Sequence, residues 1–225
     1  MAPRSAARDV TFRLLAGVDP DGQRAIVSAA RKRKLRASQL IYRVGEPADE
    51  LFVLTSGRAQ LGRPARSGRE VLMGILTPGD VFGIVSLAIG GAEYMGTAKA
   101  MEAGEALVWE RDTIQRFART FPQLTGNALH IALTFVAQYA ERHELLIGAT
   151  AEHRLARALT RLGTQKGGVS AEGVEVQITN EQLGSLADVS SFTASRQLNK
   201  WAREGAVRKH RGTVQILAPN LLLPR

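Results

Sequence analysis

The chain has 225 residues, 44% of them hydrophobic, and 30 Lys/Arg against 21 Asp/Glu, a formal charge of +9, which suits two soluble globular domains rather than one or three. It contains no cysteine, so disulfides, thiolate nucleophiles, cysteine-ligated zinc and conventional iron–sulfur clusters are excluded by ligand chemistry. No apolar run approaches the roughly 18 to 20 residues that span a bilayer and no apolar signal core stands at the amino terminus, so a cytoplasmic protein without membrane contact is expected.

The charge is unevenly placed. Residues 1–36 carry nine Lys/Arg against three Asp/Glu and residues 151–225 eleven against six, whereas residues 37–150 carry ten against twelve. A basic carboxy-terminal segment beside a near-neutral middle points to a polyanionic partner at one end; a merely solvated basic surface is the alternative that charge alone leaves open.

In chain order, residues 19–34 read as a short helix ending in the basic cluster Arg31-Lys32-Arg33-Lys34, taken as a solvated face. Short β-rich runs follow at 40–44, 51–54, 59–61, 71–76 and 106–109. Turn signals separate them: Gly45-Glu46-Pro47, Ser56-Gly57, Ser67-Gly68, Pro78-Gly79-Asp80 and Gly90-Gly91. Strands at this spacing suggest a compact antiparallel barrel or roll. After Pro122 the apolar period becomes helical. Leu124, Ala128, Ile131, Phe135 and Leu145 lie near one stripe, and Leu129, Ala132, Val136, Tyr139 and Leu146 widen it, over about seven turns. So wide a surface needs cover, either from its own β-domain alone or from the same helix of a second chain as well; the coiled-coil-like seam of a homodimer is the preferred reading. The residues assigned to that seam are Leu124, Ala128, Ile131, Phe135, Val136 and Leu145.

Residues 151–163 predict another helix, broken at Gly167-Gly168, and 174–178 a short strand. Thr179 and Gln182 then form a capping box for a helix over 180–186. A turn at 187–189 leads to Ser190, an N-cap for a helix to about Glu204, with Gly205 as its stop. Two short helices so joined resemble a helix-turn-helix, and 206–209 with 213–217 form a hairpin wing. In the second helix Ala194, Leu198 and Trp201 share one face and should pack inward. Ser190, Ser191, Phe192, Ser195, Arg196 and Asn199 are then left at the end that enters a major groove. Arg196 can bond both acceptors of a guanine edge, while Lys200, Arg203, Lys209 and Arg211 would contact phosphates. An ordinary surface arginine is the competing reading, and capping box, turn, arginine and basic wing together weigh against it.

With those residues in place the chain is identified as resembling the cyclic-AMP receptor/FNR (CRP/FNR) regulator family over nearly its whole length. Gly45-Glu46-Pro47-Ala48-Asp49-Glu50-Leu51-Phe52-Val53-Leu54-Thr55-Ser56-Gly57 resembles the family's first β-roll signature, Leu76-Thr77-Pro78-Gly79-Asp80-Val81-Phe82-Gly83 its second, and 178–204, with the pair Ser195-Arg196, its helix-turn-helix. The resemblance implies an α+β chain: an antiparallel β-roll sensor domain of the cyclic-nucleotide-binding jelly-roll kind at 1–112, a dimerisation helix and hinge at 113–150, and a winged helix-turn-helix at 151–225. It implies a homodimeric transcription regulator on a palindromic operator, with double-stranded DNA and RNA polymerase as partners and no catalytic residues.

The departures from the family bear on its signal. Cyclic-nucleotide binders follow the Phe-Gly pair with a glutamate for the ribose and later place an arginine for the cyclic phosphate; those positions hold Ile84 and Tyr94. Burying a phosphate without a cation costs several kcal/mol or more, so cyclic AMP and cyclic GMP are not expected. Haem is not expected either, because His130, His143, His153 and His210 all lie outside the β-region. A pocket of Phe82, Gly83, Ile84, Val85, Leu87, Tyr94 and Met95 would favour a less charged effector; equally, these residues could be plain core. The resemblance also implies a base-reading glutamate where this chain has Phe192, which could touch a thymine methyl or fold back onto its own domain. A cupin-type metalloenzyme needs histidines in the barrel and residues 1–129 have none. No metal site is expected, and a winged helix used for protein contact is the other alternative.

Overall fold

The computed structural model describes residues 13–64, 70–88, 92–166, 168–170 and 173–222. The turn signals at Ser67-Gly68 and Gly90-Gly91 and the helix-breaking Gly167 lie outside them. The chain divides into two compact units, Met1–Val136 and Ala137–Arg225, so the division falls inside the long helix.

After a 3-10 turn at Arg13–Leu15, the first unit forms α1 (Pro20–Ser28), capped by Asp19, whose carboxylate accepts from the amides of Asp21 and Gly22. Eight strands follow: β1 (Arg31–Leu35), β2 (Leu40–Tyr42), β3 (Glu50–Ser56), β4 (Ala59–Pro64), β5 (Glu70–Leu76), β6 (Val81–Phe82), β7 (Thr97–Ala100) and β8 (Gly104–Glu110). They form two antiparallel four-stranded sheets, ordered β1-β8-β3-β6 and β2-β7-β4-β5. The helices α2 (Arg111–Thr120) and α3 (Gln123–Gly148) come next. The expected antiparallel roll is present, with one correction: the basic cluster 31–34 is not a helix end but the edge strand β1, paired in register with β8 from Arg31 opposite Val108 to Leu35 opposite Gly104.

The continuous apolar run on β3 has a physical reason. Leu51, Phe52, Val53 and Leu54 are all fully buried, because successive side chains point to opposite faces and both faces are covered. Leu51 and Val53 join Leu107, Trp109 and the helical residues Ile26, Ile114 and Leu124 in one cluster, whereas Phe52 and Leu54 join Tyr42, Phe82, Tyr94 and Val108 inside the roll. Trp109 fixes α1 on this sheet through an indole N–H that donates to the Ile26 carbonyl at 2.7 Å.

The helix α3 runs through both units, and its two apolar faces have different fates. Leu124, Ala128 and Ile131 are buried in the first unit's core and Phe135 packs against it, so four of the six residues assigned to a dimer seam are taken by the chain's own fold. Leu145 lines a cleft in the second unit. Of that set Val136 alone stands well exposed, at 63%, beside Leu129, Leu133, Tyr139 and Ile147.

The second unit holds the end of α3, then α4 (Ala151–Lys166), β9 (Gly168–Ser170), β10 (Gly173–Gln177), α5 (Asn180–Leu186), α6 (Ser191–Arg203), β11 (Val207–His210) and β12 (Thr213–Ile216). Its sheet is ordered β11-β12-β10-β9. Its core gathers Leu155, Leu159, Leu183, Leu198 and Trp201.

These two fates of α3 can be tested by stability. Ile131→Ala should destabilise the first unit by about 2 to 5 kcal/mol, while Val136→Ala, taken from an exposed position, should change it by less than about 0.5 kcal/mol; denaturant titration followed by far-ultraviolet circular dichroism measures both.

Candidate nucleic-acid interface and sensor site

Helix α5 begins as its capping box dictates. The Gln182 amide donates to Thr179 Oγ1 at 3.2 Å and the Thr179 amide to Gln182 Oε1 at 2.9 Å. Helix α6 begins at Ser190, whose hydroxyl accepts from the Thr193 amide at 3.0 Å. It stops where Gly205 takes φ +76°, a left-handed conformation that glycine adopts without a Cβ penalty. The turn between the helices places Asp188 at φ 53°, which asparagine and aspartate tolerate better than other side chains. Arg142, from the last turns of α3, holds that turn. Its Nε and Nη2 reach the two Asp188 carboxylate oxygens at 2.6 and 2.8 Å, and Nη2 also donates to the Ser185 carbonyl at 2.7 Å.

Packing sets the rotation of α6. Ala194, Leu198 and Trp201 are buried, and α6 lies against α4, α5 and β11. Phe192, Arg196, Asn199 and Arg203 therefore form the exposed stripe, at spacings of four, three and four. Ser191 is exposed beside them and Ser195 half-buried. Phe192 is 74% exposed; the alternative in which it folds back onto its own domain is not what the structure adopts. Arg196 makes no hydrogen bond or ion pair among the described residues.

Two of the assigned phosphate contacts are otherwise engaged. Lys200 lies on the flank facing α4, where its Nζ is 3.0 Å from Glu152 Oε1; this hydrogen bond and ion pair push the Lys200 pKa up. Gln197 donates to the same carboxylate oxygen at 2.7 Å. Lys209 on β11 donates to Asn199 Oδ1 at 2.7 Å, which ties the wing to α6. Arg211 is exposed in the tight turn of the wing hairpin, and His210 and Arg208, neither assigned to DNA from the sequence, are exposed next to it. Glu152 and Arg142 also escape sequence reasoning, because their partners lie 45 and 46 residues away.

Among the residues assigned to the effector pocket, Phe82 and Tyr94 are closely packed in the roll. Tyr94 stacks on Tyr42 with ring centroids 3.8 Å apart, and Phe52 on Phe82 at 5.0 Å. The Tyr94 hydroxyl accepts from the Glu50 amide at 3.1 Å and donates to the Glu50 carbonyl at 2.9 Å. Burial pushes the Tyr94 pKa up to about 12, and burial likewise raises that of Tyr42. Gly83 sits at φ +72°, and a Cβ there would stand 2.8 Å from the Glu50 carbonyl oxygen. The seven residues assigned to a pocket do not share one lining. Phe82 and Tyr94 are in the roll interior with Val85 packed on them, Ile84 and Leu87 pack on the helix-side core, and Met95 is 68% exposed.

Comparison with known proteins matches two separate parts of the chain. Residues 32–121 match the cyclic nucleotide-binding domain and residues 153–224 the Crp-like helix-turn-helix domain. The chain is 30% identical to the cyclic AMP receptor protein of Thermus thermophilus, covering 93% of this chain and 94% of that one. It is 27% identical to the CRP-like cAMP-activated global transcriptional regulator of Mycobacterium tuberculosis, covering 89% and 90%. In fold it is similar to the c-di-GMP responsive global regulator CLP of Xanthomonas campestris, with a TM-score of 0.74 at 18% identity over 88% of this chain and 99% of that one.

The turn residue provides a test of the second unit. Asp188→Ala should cost roughly 1 kcal/mol more than Asp188→Asn, since both lose the charge facing Arg142 but only alanine also pays the left-handed penalty. Trp201 fluorescence in a Trp109→Phe background, followed through denaturant unfolding, reads the difference.

Proposed function

We propose that this chain, which belongs to the CRP/FNR family of DNA-binding transcription regulators and is no enzyme, acts as a homodimer whose two α6 helices read a two-fold symmetric operator. The observation that carries this is the exposed stripe of α6, with Arg196 at its centre and unpaired among the described residues. Arg196 reads a guanine edge, and Phe192 stands where it can meet a thymine methyl. Ser190, Ser191, Ser195, Arg203 and Arg211 fix register on the phosphates, with Asn199 and Lys209 acting as a linked pair between helix and wing. Lys200 is neutralised by Glu152 and contributes less.

The homodimer is supported by α3, where Leu129, Leu133, Val136, Ala140, His143 and Ile147 follow spacings of four and three residues, the repeat of a two-helix seam. Contact with RNA polymerase belongs to the same reading, by kinship with family regulators. Control runs through a signal other than cyclic AMP or cyclic GMP, or through abundance. The relatives named above answer to different nucleotides by their names, so kinship does not transfer an effector. Here the position of the phosphate-binding cation holds Tyr94, which is stacked into the roll with both of its hydroxyl bonds made to Glu50, and the position of the ribose-binding glutamate holds Ile84. The helix-turn-helix as a protein-binding module is the competing reading, and the unpaired Arg196 beside exposed Arg203 and Arg211 favours a polyanion over it.

Selection from a random duplex library should return half-sites about one helical turn, roughly 34 Å, apart. Each should keep a guanine under Arg196 and shift from cytosine toward thymine at the step beneath Phe192, and Arg196→Ala should lose about 1 to 3 kcal/mol on the preferred site. Recovery of an undiminished cytosine preference would remove Phe192 from base reading. Calorimetry should detect no binding of cyclic AMP or cyclic GMP at micromolar concentration, and a micromolar Kd for either would overturn the exclusion.

A further inference from the structure

The second unit contains a cleft of about 310 Å³ between the carboxy-terminal turns of α3, the helix α4 and the turn after α5. Four arginines line it, Arg142, Arg154, Arg157 and Arg161, against two carboxylates, Glu141 and Asp188. Two of the four are occupied by the fold. Arg142 is held bidentately by Asp188, and Arg154 donates to the carbonyls of Ala187 and Ala149 at 3.0 and 2.8 Å. Arg157 pairs with Glu141 at the mouth, where both side chains are substantially exposed.

Arg161 is left over. It is half-buried, and although its carbonyl accepts from the Thr164 hydroxyl at 3.0 Å, its guanidinium makes no hydrogen bond among the described residues. It lies one turn along α4 from Arg157, an arrangement in which like charges destabilise a helix. Burial pulls its pKa down, Arg142 and Arg157 pull it down further, and Glu141 only partly compensates. On the same lining the hydroxyl of Thr160 is buried without a hydrogen-bond partner among the described residues. A half-buried cation crowded by like charges beside an unsatisfied hydroxyl carries a cost, and perturbed groups of this kind cluster at functional sites.

We propose that this cleft binds a compact dianion, a phosphate group or a small dicarboxylate, held by Arg161 and Arg157 with Thr160 as a further hydrogen-bonding partner. The excess of two arginines over the carboxylates sets the charge. The planar guanidinium fork suits the oxyanion geometry, and the volume, at the low end for small-molecule sites, sets the size. The site is separate from the sensor roll and uses none of the residues assigned to DNA.

The test is titration calorimetry on the full chain with inorganic phosphate and with succinate, at an ionic strength held constant with potassium chloride. Wild type should bind one anion per chain with a Kd on the order of 1 mM or tighter. Phosphate alone giving heat would identify an oxyanion of phosphorus as the ligand chemistry; succinate alone would identify a dicarboxylate. Arg161→Met should lose at least about tenfold in affinity, yet melt no lower than wild type in anion-free buffer, because it removes a half-buried guanidinium crowded by Arg142 and Arg157. Arg161→Lys, which keeps the charge and loses the fork, should bind with intermediate affinity, and Arg196→Ala should bind like wild type. The proposal is overturned if neither anion binds at millimolar concentration, if Arg161→Met binds as wild type does, or if Arg161→Met melts well below wild type, which would make Arg161 a stabilising part of the fold.

Discussion

Burial of Ala194, Leu198 and Trp201 fixes the rotation of α6, and what the second unit can do follows from it. A helix repeats every 3.6 residues, so committing one stripe to the core decides which side chains are left outside. Here that leaves Phe192, Arg196, Asn199 and Arg203 outward and turns Lys200 toward α4, where Glu152 takes its charge. The wing is anchored by the pairing of β12 with β10 and by the Ile178 amide donating to the Gly212 carbonyl, and Lys209 ties it to α6 through Asn199. A change of residue at Trp201 would alter the interface without touching any side chain that meets a ligand.

The first unit depends on a sheet covered on both faces. Period-two alternation sends Leu51 and Val53 to the helices and Phe52 and Leu54 to the roll interior, so one strand joins two cores. The roll interior is then completed by aromatic rings. Tyr94 on Tyr42 and Phe52 on Phe82 occupy space with stacked surfaces, and Arg33 lies 5.3 Å from the Phe52 ring centre. The Tyr94 hydroxyl is spent on the Glu50 backbone and its ring on Tyr42, so neither is left for another partner inside the roll.

Local signals were the legible ones. The capping box at Thr179 and Gln182, the N-cap Ser190 and the stop at Gly205 are encoded within a few residues, and α5 spans the residues expected of it. The strand β1 was not legible, since Arg31-Lys32-Arg33-Lys34 has no apolar alternation and owes its extended form to pairing with β8, more than seventy residues later. The long helix was legible as a helix, but its periodicity displays two apolar stripes alike. Only tertiary packing distinguishes Leu124, Ala128 and Ile131, which are core, from Leu129, Leu133 and Val136, which are free. The clamp of Arg142 on Asp188 and the arginine cleft around it join residues far apart in the chain, which no local pattern could bring together.

If α6 meets duplex DNA with the exposed stripe that carries Arg196 and Arg203, the dependence of DNA binding on salt tests it most directly. Affinity for a selected duplex should fall steeply and linearly on logarithmic axes as salt rises from about 50 to 200 mM, with a slope set by the number of phosphates neutralised. Arg203→Ala or Arg211→Ala should each make that slope shallower by about one unit, whereas Arg196→Ala should chiefly erase the preference for the selected sequence. Affinity that does not respond to salt, or a slope unchanged by these wing and helix variants, would contradict the account and leave the helix-turn-helix as a surface for another protein.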